Sequence, residues 1–146
     1  MDEKMTRIRL LEALSRDRLD AVSDLVHDCW FEPDDITVNQ DSHIIEIPYE
    51  REVFDDGEIV ENGLIRTYRV PIYRCFMVIS DVLETSIVDD LRVGRYDFVE
   101  IETDATGTVL EIRTGVPLQF RIKVASINIT VERSEFPLRY IARKSI

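Results

Sequence analysis

After Trp30 the apolar residues of this chain recur at every second position, and no other feature limits the fold as strongly. Side chains alternate across a strand, so this period commits a segment to a sheet with one face buried. It runs through "HIIEIPYERE", where Ile45, Ile47 and Tyr49 share a face, and through "YDFVEIETD" and "TVLEIRT", the clearest hairpin. In that hairpin Val99 and Ile101 fall on one face and Tyr96 and Phe98 on the other. The stretch "LQFRIKVASINITVER" contains a phase slip: Phe120, Ile122 and Val124 share one parity, and Ile127, Ile129 and Val131 the other. A slip of one residue turns a whole apolar set to the wrong face. A bulge or a sheet-switching bend is therefore expected near Ala125–Ser126.

Before Trp30 the spacing is helical. Leu19, Val22, Leu25, Val26 and Cys29 line one face, and Ser15 or Asp17 can cap the start. Upstream, "MTRIRLLEAL" leans toward a second helix, although Ile8 and Leu10 would also suit a short strand. Pro48 removes a ladder donor, which places its strand at an edge or turns its nitrogen outward. Residues 53–63, "VFDDGEIVENG", read as a loop or protruding hairpin, with Asp56-Gly57 and Asn62-Gly63 suited to positive φ. Pro71 splits the next run into strands over 64–70 and 72–82, and "LETSIVDDLRVGR" reads as irregular.

The expected class is α+β: an N-terminal helix or helical pair packed on a mainly antiparallel sheet of about six to eight strands, curved or half-barrel. With 146 residues the chain fits one domain: 1–30 mainly helical, 31–132 β-rich and 133–146 a tail. No apolar run approaches the ~18 residues of a membrane helix, and acids and arginines interrupt the N-terminal segment. The expected compartment is the cytoplasm. Cys29 and Cys75 form neither a disulfide framework nor a zinc motif.

The net charge of −11 is unevenly spread. Residues 1–63 hold 18 acids against 6 bases, and residues 64–146 hold 11 against 12. Such a field repels nucleic acid and anionic membranes and attracts basic partners. Glu32, Asp34, Asp35, Glu50, Glu52, Asp55, Asp56, Glu58 and Glu61 are the candidate interaction surface. The strip Arg66, Tyr68, Arg69, Tyr73, Arg74 could stack bases, but in this chain it is better read as pairing across strands with the acids.

"HDCWFEPDD" concentrates ligand-type residues, so a metal or small-ligand site around His27, Asp28 and His43 is the alternative. Adjacent residues on a helix point about 100° apart, which opposes His27 and Asp28 sharing an ion. The structural reading makes the stretch a hinge: His27 bonds the last helix carbonyls, Trp30 and Phe31 pin helix to sheet, and Pro33 opens a turn. P-loop, dinucleotide and nucleophile-elbow motifs are missing, and no cofactor is expected.

The run "DLVHDCWFEPDDI" followed by "SHIIEIPYERE" resembles a loose group of small uncharacterised bacterial proteins. These have a helix, an "HDxWF" junction and an antiparallel sheet. The resemblance spans residues 15–131 in outline and rests on His27, Asp28, Trp30 and Phe31. It implies the fold sketch and no activity. The expected function is therefore a non-enzymatic binding protein: an immunity-like or regulatory partner of a basic protein, or a homo-oligomer.

Overall fold

The structure, a computed structural model, describes residues 6–144, with side chains as far as Ala142. Its strands are β1 (Arg7–Ala13), β2 (Trp30–Phe31), β3 (Thr37–Asn39), β4 (Ile44–Glu52), β5 (Glu58–Asn62) and β6 (Ile65–Ile79). They continue with β7 (Val82–Val88), β8 (Tyr96–Thr103), β9 (Val109–Thr114), β10 (Gln119–Val124), β11 (Ile129–Ser134) and β12 (Arg139–Lys144). The helix α1 (Leu19–Val26) lies between β1 and β2. The strands form one antiparallel sheet in the order β1-β11-β6-β4-β2-β8-β9-β10-β7, with β3 beside β4 and with β5 and β12 beside β6.

This overturns the α+β expectation. The described residues hold twelve strands and one eight-residue helix, a mainly β fold. Residues 7–13 form a strand because β11 presents an edge that β1 pairs, with a bulge between Arg9 and Leu11 that blurs the period. The tail also becomes a strand, β12, on β6. The segment read as irregular supplies β7, which pairs β10. In each case a ladder partner far away in sequence decides the outcome, and local propensity does not report it.

The sheet is organised around β6. Its C-terminal half pairs β4 on one side and β11 on the other; its N-terminal half pairs β5 and β12. The runs β4–β5 and β11–β12 are thus two strands, each broken once, flanking one unbroken strand. Pro71 does not split β6 as expected. Val53 N–H donates to the Pro71 carbonyl at 3.0 Å, so the proline's donor-less nitrogen faces the same neighbour. There the flanking strand leaves the ladder in a 3-10 turn, Phe54–Asp56. Pro48 follows the same logic inside β4, which is not an edge. Its nitrogen points away from β6, toward the 3-10 turn Pro33–Asp35 that separates β2 from β3.

The expected slip near Ala125 is a corner. Ser80 N–H donates to the Asn128 carbonyl and Ala125 N–H to the Asp81 carbonyl, each at 2.9 Å. The paired chains β6–β7 and β10–β11 turn there together, and both apolar sets face one core. A second slip in β8 was not expected. A bulge between Phe98 and Glu100 brings Phe98 and Ile101 onto the same buried face and leaves Val99 exposed.

Phe31 is the hub of the core. Its ring lies 4.6 Å from Phe98, 6.1 Å from Phe120 and 6.2 Å from Tyr96, and Tyr49 meets Phe98 edge-on at 5.4 Å. Trp30 takes the opposite face, half-buried, with the Arg95 guanidinium 3.6 Å from its ring centroid. Only Phe31 therefore pins the junction from within. Phe31→Ala should cost about 3–5 kcal/mol in urea unfolding, and Trp30→Ala clearly less.

The β8–β9 turn is closed by Asp104. Its carboxylate accepts bonds from the Thr106 hydroxyl at 2.9 Å and from the Thr108 and Val109 amides at 2.9 and 3.2 Å. The Thr106 bond is the largest cause holding this carboxyl down at about 2. A depressed carboxylate contributes stability above its unfolded value of about 3.9, and that stability is lost as the pH falls through about 2. NMR titration should find Asp104 still ionised at pH 3, and Asp104→Asn should remove this acid-side contribution.

Candidate functional site

The helix end at His27 covers a strand edge. Beyond Asp97, β8 has β9 on one side and no strand on the other. α1 fills that side. Ser23 Oγ accepts the Ile101 N–H at 2.9 Å, and Asp28 N–H donates to the Phe98 carbonyl at 3.1 Å. The His27 ring donates from Nδ1 to the Val99 carbonyl at 3.1 Å, at the bulge. His27 thus bonds the neighbouring strand and not the last helix carbonyls. Asp28, at φ 65, makes the turn from helix to strand. That turn brings its carboxylate within 3.5 Å of His27 Nε2, so the two side chains do approach each other.

His43 stands elsewhere. It occupies the β3–β4 turn at φ 58, and its Nδ1 lies 3.2 Å from the Val82 carbonyl. Its own carbonyl accepts the Val82 N–H at 2.9 Å, which anchors the start of β7. Cys29, two residues after His27, sits across from Arg51 at the far end of β4. His27 and His43 are therefore separated by most of that strand, about 25 Å at ~3.3 Å per residue. Among the described residues no group of three or more His, Cys, Asp or Glu side chains could hold a metal ion.

The nine candidate acids do not gather into one patch. Glu50 lies half-buried and takes both nitrogens of Arg139, at 2.6 and 3.2 Å, a bidentate bond that ties β12 to β4 and lowers the Glu50 pKa. Glu58 pairs with Arg69 at 3.6 Å and Glu61 with Arg66 at 3.1 Å, and Glu52 also has a partner. These cross-strand pairs agree with the reading of the arginine strip as charge-pairing. Glu32, Asp34 and Asp35 belong to one 3-10 turn and its cap; Asp55 and Asp56 belong to the other, about 20 Å farther along β4.

Two features remain, the first expected in part as a protruding hairpin over residues 53–63 and the second not expected. The first is an arm. The N-terminal half of β6, with β5 and β12, runs past the core with both outer edges unpaired among the described residues. It exposes Leu64 fully, Ile65 at 67% and Ile59 at 52%, and Tyr140 and Leu138 are exposed beside them. Its tip is the Asn62-Gly63 turn, where Gly63 has φ 64 as the sequence suggested. Gly57 is needed for a different reason. Its φ is −73, but a Cβ there would lie 2.5 Å from the Tyr68 ring, which is held by a bond to the Phe54 carbonyl at 2.7 Å.

The second feature lies where the core opens toward this arm. The cross-strand row Arg133–Cys75–Tyr49 and the pair Tyr73–Arg51 all carry core-facing parity. Burial raises the Cys75 thiol to about 12 and the Cys29 thiol to about 11, so neither is a nucleophile at neutral pH. β4 separates their strands. Two strand spacings of about 4.8 Å exceed the ~7 Å that a disulfide spans. A sequence signal for this row existed: Arg51 continues the inward parity of Ile45, Ile47 and Tyr49, and Arg133 that of Ile129 and Val131.

Neither a family model, nor a curated protein, nor a solved structure matches the chain. No helix of the described residues is long and apolar enough to cross a membrane. His27→Ala should lower stability by about 0.5–1.5 kcal/mol, the net worth of one hydrogen bond. Amide exchange at Val99 to Ile101 should quicken, and the metal content of the purified protein should not change.

Proposed function

We propose that this is a cytoplasmic interaction protein whose docking element is the β5–β6–β12 arm, acting by contact rather than by catalysis. One observation carries the reading: the arm combines two strand edges, unpaired among the described residues, with large exposed apolar side chains. Proteins ordinarily blunt such edges, because an open edge templates pairing with another strand. Exposed apolar clusters rimmed by charge are the usual character of a protein interface.

The partner is a basic strand. β5, preceded by Asp55 and Asp56, contributes no base, and Glu58 and Glu61 stay exposed at its edge although each also meets an arginine of β6. Strand addition there gives main-chain hydrogen bonds for affinity, and the acids select the sign of the incoming segment. β12 of a second copy has the required character: Arg139 stays half exposed while it holds Glu50, and the strand's sequence has two further bases and no acid. An acidic edge meeting a basic edge favours a β5–β12 contact over β5–β5 or β12–β12, each of which sets like charges together. The two buried free thiols suit a reducing compartment.

Light scattering tests this. The wild-type chain should show a mass above the 17.0 kDa of one copy, or gain mass on adding a peptide of the β12 sequence. Ile59→Lys with Ile65→Lys should abolish either effect while leaving Tm within a few degrees, since both side chains are exposed. A wild-type chain that stays at single-copy mass and ignores the peptide would sink the proposal.

A further inference from the structure

At the end of the core beneath the arm, two inward arginines have no carboxylate within ion-pair distance among the described residues. Six arginines of the described chain, Arg7, Arg9, Arg66, Arg69, Arg113 and Arg139, sit within ion-pair distance of carboxylates. Arg51 and Arg133 are among the described arginines that do not, and of these they are the two at core-facing positions. Both face inward. Arg51 pairs in register with Tyr73, and the Arg133 guanidinium lies 4.2 Å from the centroid of the same Tyr73 ring. Arg133 Nη1 is buried and has no hydrogen-bond partner.

A third donor lies in the same cross-strand row. Tyr49 is 1% exposed, and its buried hydroxyl meets only the Cys75 thiol, a weak partner, with no oxygen or nitrogen to bond. Register places Cys75 directly between Tyr49 and Arg133. Arg51 on β4 and Arg133 on β11 flank the Tyr73–Cys75 stretch of β6 from its two sides, the first in register with Tyr73 and the second with Cys75. A buried donor left unmade is costly, and more so when it is charged. One unmade charged donor and a hydroxyl that meets only a thiol, in one cross-strand row with a second inward cation beside them, would be better satisfied by an anionic acceptor. Water would supply acceptors, but it would leave the charge unbalanced.

We propose that this end of the core binds a small oxyanion, a carboxylate or phosphate group, held by Arg133 and Arg51 with the Tyr49 hydroxyl as third donor. Arg suits both groups because its planar fork donates two parallel bonds. The Tyr73 ring beneath Arg133 keeps that fork in place, and burial strengthens each bond by lowering the local dielectric. The proposal does not depend on the arm's docking role, since its residues lie on the core-facing side of β4, β6 and β11.

The experiment is thermal unfolding of the full chain at pH 7 and constant ionic strength, with sodium acetate or sodium phosphate replacing sodium chloride. One probe should raise Tm saturably, by about 3 °C or more, and the probe that does so identifies the group. Arg133→Met and Arg51→Met should each weaken the apparent affinity at least about tenfold. Arg113→Met, on an exposed arginine paired with Glu100 and Glu102, should leave it unchanged. If Arg133→Met does not fold, Tyr49→Phe decides, because it deletes one oxygen and keeps the packing. Its affinity should fall severalfold. No saturable rise with either salt, or an equal rise in Arg133→Met or Tyr49→Phe, would overturn the site.

Discussion

Everything in this fold hangs on one unbroken strand, β6. Its fifteen residues accept ladder partners on both sides along nearly their full length. The partners are not equally continuous. Each is interrupted, and the interruptions coincide with prolines: Pro71 faces one, Pro48 faces another in the next lane, and Pro137 lies inside the third. A proline inside a sheet withholds a donor, so a neighbour continuing in register would keep an unpaired carbonyl. Leaving the ladder for a 3-10 turn removes that conflict. The breaks also separate the molecule into a core half and an arm half that share β6.

A second dependence follows from closing a core with a sheet that does not close on itself. β8 needs partners along an edge that no strand covers. The short helix supplies them through Ser23, His27 and Asp28. The bulge at Val99 and the His27 bond to its carbonyl are two halves of one device, because the bulge turns a carbonyl toward the helix just where β2 has ended. His27 and Asp28 look like ligands in sequence because edge coverage and metal binding call on the same polar atoms. What separates the two uses is convergence, and His43 sits at the other end of β4.

Charge is arranged with a similar economy. Five arginines bond carboxylates on other strands, among them Arg139, whose pairing with Glu50 fastens β12 to β4. Against that background the inward, unpaired Arg51 and Arg133 stand out, as do the exposed apolar residues of the arm. Both features lie along the same stretch of β6, where inner-face residues pass from buried Cys75 and Tyr73 to exposed Ile65. Core and surface are continuous there.

Residue periodicity determined a good deal unaided. The alternation after Trp30, the β8–β9 hairpin, the corner at Ala125–Ser126, the positive φ at Gly63 and the cross-strand pairing of the arginine strip were all readable, because each depends on neighbours a few residues away. The β8 bulge was not readable, since its cause is a helix bonding the edge more than seventy positions earlier. Nor was the strand at residues 7–13, whose partner β11 lies at the other end of the chain. The dispersal of the acids and the gathering of Arg51, Tyr49, Cys75 and Arg133 needed strand order as well. Parity says which way a side chain faces, but only the order of strands says what it meets there. Local sequence determined the faces of this protein; long-range pairing decided which faces came together.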